Sequence, residues 1–372
     1  RAPSFSLADH HGLSLLPFMK RTIFIGTYTN GKSEGIYSCR FDLETGVLDQ
    51  YRLAAKTPSP SFLALHPNKK FLYAVNETQE YDGAKSGSVT SFAITDAPGG
   101  VLRKLNTVSA HGASPCHLAI SPKGNSLITA NYHGGTVCVL ELKADGSLGK
   151  TLNTIVHEGS SVNKRRQEAP HPHAAVIDPA GKFVLVADLG KDTIERYRLE
   201  ASGELSLEKT STKVAPGAGP RHIAFHPGGK FVYVITELSR TVTAFAYAPD
   251  TGMLTEIQTI STVPDGWKKG STAELFAHPS GKFLYGSNRG HDSIACYRLD
   301  ATSGKLTLIE IEKTGGTTPR SFGLDPDGKF LIAANQSSGD LHVFAIDQET
   351  GALEPREGRI EVPAPVCVVV LD

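Results

Sequence analysis

Imidazole, guanidinium and carboxylate side chains recur at one register of this chain. His173, Arg221 and Arg320 each follow a proline that opens a β-rich run, while Glu77, Glu237 and Arg289 each follow the Asn or Thr that closes the next run. Imidazoles and carboxylates accept protons from water near neutral pH. Guanidiniums grip carboxylates and phosphates and stabilise developing oxyanions. These residue types suit acid–base work on an anionic ligand, provided that a fold gathers positions scattered from Glu77 to Arg320.

The elements that must gather them come from an internal repeat. A proline, six residues, a second proline, a short turn and a β-rich run recur as Pro60-SFLALH-Pro67, Pro115-CHLAIS-Pro122, Pro172-HAAVID-Pro179, Pro220-RHIAFH-Pro227, Thr272-AELFAH-Pro279 and Pro319-RSFGLD-Pro326. The second prolines stand 55, 57, 48, 52 and 47 residues apart, a period of solenoids and propellers. Each repeat predicts four strands. Strand A lies between the prolines and B follows the turn; C is a run such as TVCVLEL, and D follows a turn such as Ala144-Asp145-Gly146. Four antiparallel strands per repeat make a propeller blade. TIFIGTY, GIYSCRF and VLDQYRL at the start read as B, C and D without an A, and Pro365-VCVVVLD at the end reads as an A without followers. Joined, they close a seventh blade in which the strand of Cys367 pairs with that of Ile25 and no sheet edge stays open. The expected fold is all-β: a seven-bladed propeller in one domain, residues 19–372. Residues 1–18 are set apart as a leader or an expression-derived extension.

Because A and B are antiparallel, the start of A and the end of B share one mouth of the central channel. The first residue after the opening proline is Ser61, Cys116, His173, Arg221, Ala273, Arg320 or Val366, and the residue after strand B is Glu77, Tyr132, Leu189, Glu237, Arg289 or Gln336. Identities that differ from blade to blade fit an asymmetric ligand. The loops 157–169 and 261–271 open on the same face, and their Lys164-Arg165-Arg166 and Lys268-Lys269 runs suit a carboxylate or phosphate. His117 and His222 stand one step along strand A, so strict alternation turns them towards a neighbouring blade. His66, His226 and His278 precede the second proline at the other end of A, where they form turns.

Composition narrows the partners. Lys plus Arg total 38 and Asp plus Glu total 38, so the field that nucleic-acid binding draws on is missing. No run approaches a membrane span. Five cysteines without a C-x-x-C read as buried thiols of a reducing compartment. Residues 1–18 lack the basic start and apolar run of a secretory signal, and Met19 could be the natural start. The expected location is the cytoplasm, or outside it if residues 1–18 follow a removed signal. A serine hydrolase is not expected, since a propeller has no strand-to-helix turn for a nucleophile elbow; nor is a dinucleotide site, since Gly217-Ala218-Gly219 has no βαβ unit around it.

With these residues in place, the chain from about Thr22 to Asp372 resembles the lactonase family of seven-bladed propellers, which holds propeller-type 6-phosphogluconolactonases and carboxy-cis,cis-muconate cyclases. The resemblance rests on IFIGTYTNGKSEGIY (23–37), GASPCHLAISP (112–122), RRQEAPHPH (165–173), GAGPRHIAFHP (217–227), AELFAHPSGKFLYGSNRGHDSI (273–294) and TPRSFGLDPDGKFLIAANQ (318–336). It implies a catalytic set of His173 from PHPH, Arg221 from GPRH and Glu237 from TEL, with Arg289 of SNRG or Arg320 of TPRS as a second arginine. Phe276 departs from the basic or polar residue common in relatives, which could shift the preferred acid.

The implied reaction is hydrolysis of an anionic sugar lactone, 6-phosphogluconolactone to 6-phosphogluconate in the pentose phosphate pathway, with no metal or cofactor. Glu237 or His173 would take the proton of water; an adjacent Arg221 weakens Glu237 as a base, which favours His173. Arg289, Arg320, Arg166, His117, His222, Glu77, Glu274 and Asn288 are the substrate-binding candidates. A muconate-type lactonising cyclase and a protein-binding propeller are the alternatives. A calcium-dependent variant would draw on Asn76, Asn131, Asp188, Asn288 and Glu237. The partner is a small anionic lactone, with no nucleic acid and no membrane; the oligomeric state stays open.

Overall fold

Strands run in groups of four, and the groups close on one another. The structure is a computed structural model describing residues 20–371, so the reading of residues 1–18 lies outside the described residues. Among these there are 28 strands in seven four-stranded sheets, every neighbouring pair antiparallel. Blades 1 to 6 take their A strands from Phe62–Leu65, Pro115–Ile120, Pro172–Ile177, Pro220–Phe225, Ser271–Ala277 and Pro319–Leu324. Blade 7 joins the chain ends: its A strand, Pro365–Leu371, pairs with Lys20–Thr27, with Ile25 opposite Val368 and Gly26 opposite Cys367. The A strands pack on one another around the axis. No described helix is long and apolar enough to cross a membrane.

The hydrophobic core is divided into seven clusters, one in each interface between blades. The B strands are therefore covered on both faces, and Phe183–Asp188 and Phe330–Asn335 are buried at every residue. A β-run buried on both faces reads as continuous rather than alternating hydrophobicity, as FVLVAD and FLIAAN do. Side chains then latch each blade to the next. Gly146, at φ +82°, places its Cα against the ring of Phe71, where a Cβ would lie 2.3 Å from the ring, and Tyr73 donates its hydroxyl to the Gly146 carbonyl at 3.0 Å. At the A–B turns, His66, His226 and His278 each donate Nε2–H to a glycine carbonyl of the following blade, Gly124, Gly281 and Gly328. These histidines are the turn-forming ones expected. All five cysteines are buried and unpaired.

Two stretches carry familiar spacings that the fold empties of their usual meaning. Gly26–Ser33 (GTYTNGKS) has the spacing of a phosphate-binding loop, and Gly31–Gly35 (GKSEG) that of a nucleophile elbow. Both motifs need a helix after the loop. Here the segment joins the antiparallel strands Lys20–Thr27 and Gly35–Asp42, and the buried Ser33 hydroxyl bonds Thr27 Oγ1 at 2.5 Å.

Candidate active site

Strand A does not enter the sheet regularly. In blade 3, Pro172 faces Asp188 and Ala174 faces Ala187, which leaves His173 without an opposite residue. The same β-bulge isolates Cys116, Arg221, Arg320 and Val366, and in blade 5 two residues, Ala273 and Glu274, stand between the paired Thr272 and Leu275. A bulge re-aims side chains and breaks the alternation of faces. Consecutive residues can then both turn to the axis, as Arg221 and His222 do, lining one small chamber. The entry turns are strained as well: Ser59, Ser114, Thr318 and Ala364, each preceding a proline, sit at φ of 38°, 53°, 60° and 47°.

Above the bulges opens a cavity of about 560 Å³, walled by Tyr28, Glu77, Cys116, Tyr132, His171, His173, Glu237, Arg289 and Arg320, with Arg165, Arg166 and Glu168 from loop 157–169 at its side. Its centre is a clamp on one carboxylate. Glu237 Oε1 accepts from Arg166 Nη2 at 2.6 Å, and Oε2 accepts from Arg221 Nε at 3.1 Å and pairs with Arg289 Nη2 at 3.0 Å. Arg221 also donates to Ala273 O, and Arg289 to Thr272 O, so their planar forks are held in place. Burial alone would raise the Glu237 pKa; Arg289, Arg221 and Arg166 outweigh it and hold the group at about 2. Burial pushes Arg289 down to about 10 against the pull of Glu237.

His173 and Arg320 stand outside this clamp. His173, 4% exposed, has Nδ1 3.7 Å from Cys116 Sγ. Burial first, then Arg221, His222 and Arg320, hold its pKa well below 6.5, so the imidazole is uncharged. Arg320 lies with its guanidinium 5.2 Å from the centroid of the Tyr28 ring. Among the described residues it makes no ion pair and no hydrogen bond.

The structure thus brings His173, Glu237, Glu77, Arg166, Arg289 and Arg320 to one cavity, with Arg221 fixed beneath them. Other expected site residues lie elsewhere. His117 and His222 lie below the cavity and, as expected, each meets a neighbouring blade: the Ala175 N–H of blade 3 donates to His117 Nδ1 at 3.4 Å, and the two rings stand 5.4 Å apart, with Phe62 4.1 Å from His117. His222 Nδ1 bonds Glu274 Oε1 at 2.6 Å, and Ser321 donates to Glu274 Oε2, so Glu274 sits under the cavity, not in it. Asn288 is buried and spent on structure, donating to Thr262 O at 2.7 Å and to Ser293. Asn76 Oδ1 accepts from Ser88 and Thr90, Asp188 bonds His157 and the His171 N–H, and Asn131 donates Nδ2 to Ala110 O; the oxygens considered for calcium stand on separate blades, and of them Asn131 Oδ1 alone has no hydrogen-bond partner among the described residues. Among the described residues no cluster of three or more His, Cys, Asp or Glu could hold a metal. Lys268 and Lys269 are exposed and do not wall the cavity. Phe276 lies at the opposite mouth against Phe322, and so cannot touch a ligand in the basic cavity.

Tyr28, Tyr132 and His171 were not anticipated as site residues. Tyr28 and Tyr132 occupy the residue after strand B, so the register that marked Glu77 and Glu237 marks them too; in Tyr28 it was hidden because blade 7 is split between the chain ends.

Comparison with known proteins agrees with the fold. The family model for the seven-bladed β-propeller lactonases matches residues 22–370. The chain is 41% identical over 349 residues to the 6-phosphogluconolactonase of Bacillus subtilis, covering 94% of this chain and 97% of that protein. It is 34% identical to the 6-phosphogluconolactonase of Formosa agariphila, over 89% and 94%. The structure of the periplasmic gluconolactonase PpgL of Pseudomonas aeruginosa superposes with a TM-score of 0.89 at 33% identity, over 95% of this chain and 99% of that one. The chain belongs to the seven-bladed lactonase family, and it is a lactonase, a hydrolase of cyclic esters.

Proposed function

We propose that this seven-bladed lactonase opens 6-phosphogluconolactone to 6-phosphogluconate, in the cytoplasm and without a metal. The observation that carries the reading is the charge of the cavity: three guanidiniums share one carboxylate, and a fourth, Arg320, lies over the Tyr28 ring and makes no ion pair or hydrogen bond among the described residues. Such a site favours an anion. Relatives named for the same substrate support the choice of lactone. The five unpaired cysteines fit a reducing compartment.

Lactone hydrolysis puts negative charge on the carbonyl oxygen as water adds. Donors fixed in advance at that position lower the barrier, and one such donor is worth about 10²–10³ in rate. Arg320 fills this role: it lines both the cavity and the chamber beneath it, at the floor. Arg165 and Arg166, from the loop at the side, receive the substrate's phosphate. Glu237 serves as an anchor, aligning Arg166, Arg221 and Arg289, and is too acidic to act as a base. His173 is uncharged and can accept a hydrogen bond from water, but a site that holds its pKa so low makes it a weak proton acceptor.

The test is the initial rate with fresh 6-phosphogluconolactone, corrected for spontaneous opening, beside unphosphorylated gluconolactone. Phosphate recognition by the loop requires Arg165→Ala to raise KM for the phosphorylated lactone several-fold and leave the other unchanged. Equal turnover of both lactones by the wild type would remove the phosphate from the reading.

A further inference from the structure

We propose that Glu77 is the general base of the lactone reaction, taking the proton of the attacking water, and that Tyr28 is its positioning residue. The inference rests on the hydrolytic reading above.

Glu77 and Glu237 occupy the same register position, the residue after strand B, in blades 1 and 4. They face one cavity from different sides and are treated oppositely. Glu237 is tied down by three guanidiniums. Glu77 has no cation within ion-pair distance among the described residues; its one side-chain partner is a neutral phenol, Tyr28, whose hydroxyl donates to Oε2 at 2.8 Å. Oε1 accepts no hydrogen bond from the described residues. The backbone is fixed, since Glu77 N donates to Ser59 O at 3.0 Å, while the side chain is only half-buried, so water reaches it.

Tyr28 is itself held. Its N–H donates to Ala364 O at 3.1 Å, and Arg320 covers its ring. Burial, opposed by Arg320 and reinforced by Glu77, raises the phenol's pKa, so Tyr28 stays a donor and fixes one carboxylate oxygen while leaving the other for water. Arg320, the unpartnered guanidinium, shares the floor of the cavity with Glu77. A base and an oxyanion donor therefore flank one spot, the arrangement that acyl transfer to water needs.

The step balances with these groups alone. The water oxygen bonds to the carbonyl carbon as one of its protons passes to Glu77 Oε1, and the carbonyl π pair moves onto the oxygen facing Arg320. Collapse restores the C=O and breaks the bond to the ring oxygen, which takes the proton back from Glu77. The products are the open hydroxy acid and the original carboxylate.

Glu77→Gln keeps an oxygen for the Tyr28 hydroxyl and removes the base. On 6-phosphogluconolactone, with spontaneous opening subtracted, its kcat is expected to fall by about 10²–10⁴ with KM within a few-fold of wild type. Formate should restore turnover to Glu77→Ala in a saturable, enzyme-dependent way, which a structural role would not allow. Tyr28→Phe should lower kcat by about tenfold without moving KM. A Glu77→Gln protein within about threefold of wild-type kcat overturns the assignment while leaving the hydrolytic reading intact. So does a folded Glu77→Ala protein that formate does not rescue. A wild type no faster than spontaneous opening removes the substrate reading, and the base with it.

Discussion

The two mouths of the central channel are built from the same seven strands and share almost nothing in chemistry. At the entry of strand A lies the basic cavity of about 560 Å³. At the exit lies a second cavity of about 440 Å³, walled chiefly by Phe62, Leu63, Phe276, Leu324, Val368 and Val370. Between them His117, His222 and Glu274 fill the bore. The exit half of each strand pairs regularly, and apolar side chains dominate its cavity. The entry half is bulged, and the bulged positions carry His173, Arg221 and Arg320. Chemistry sits where the repeat is broken, and the unbroken half is packing.

That contrast can be broken most severely at Arg221, which is 2% exposed. Arg221→Ala leaves a buried carboxylate with one anchor fewer. Lactonase kcat/KM is expected to drop by about 10²–10³, and urea unfolding to report a loss of about 3–5 kcal/mol.

Next comes the acid stability of the clamp. The folded pKa of Glu237 is about 2, below its ordinary carboxylate value. Its contribution is therefore complete above about pH 4.5 and is lost as pH falls towards 2, and it is worth roughly 3 kcal/mol. Melting temperatures of wild type and Glu237→Gln should differ most near neutrality and converge near pH 2. A gap that stays constant with pH would deny the clamp its electrostatic origin.

The histidines in and below the basic cavity give a smaller and earlier effect. Burial, with cationic neighbours, holds the pKa of His117, His173 and His222 below 6.5. The unfolded chain takes up protons there that the folded chain refuses, so stability is full above about pH 6.5 and declines below it. Thermal melts should begin to fall in that window, ahead of the carboxylates, and His117→Gln should flatten the fall. The smallest effect belongs to the apolar mouth: Phe276→Ala should cost about 1 kcal/mol through its contact with Phe322 and leave kcat/KM unchanged.

Much of this was legible before any coordinates. Five Pro-x6-Pro copies and one that opens with Thr272 marked six A strands, and the unmatched runs at the two ends marked the seventh blade, closed as observed with Gly26 opposite Cys367. The register rule brought His173, Arg221, Glu237 and Glu77 to one mouth because antiparallel pairing leaves them no other place. What the sequence did not show was the bulge. It is a property of pairing, invisible in one strand's residues; His117 and His222 still meet the neighbouring blades as alternation required, but Arg221 and His222 also line one chamber beneath the cavity. Asn288 looked like a ligand group because its position faces the mouth in sequence, yet an amide can satisfy carbonyl and hydroxyl partners at once, and it does so with Thr262 and Ser293. Arg289 and Arg320 could not be told apart from motifs; only distances show one bound to Glu237 and the other without an acceptor.

Arg320 offers the most direct measurement, since its removal breaks no ion pair. Initial rates on fresh 6-phosphogluconolactone, after subtraction of spontaneous opening, should show wild type well above background and Arg320→Gln at least about a hundredfold slower, with an unchanged melting temperature. Wild-type rates indistinguishable from background, or an Arg320→Gln protein as fast as wild type, would contradict the claim that the basic mouth opens this lactone.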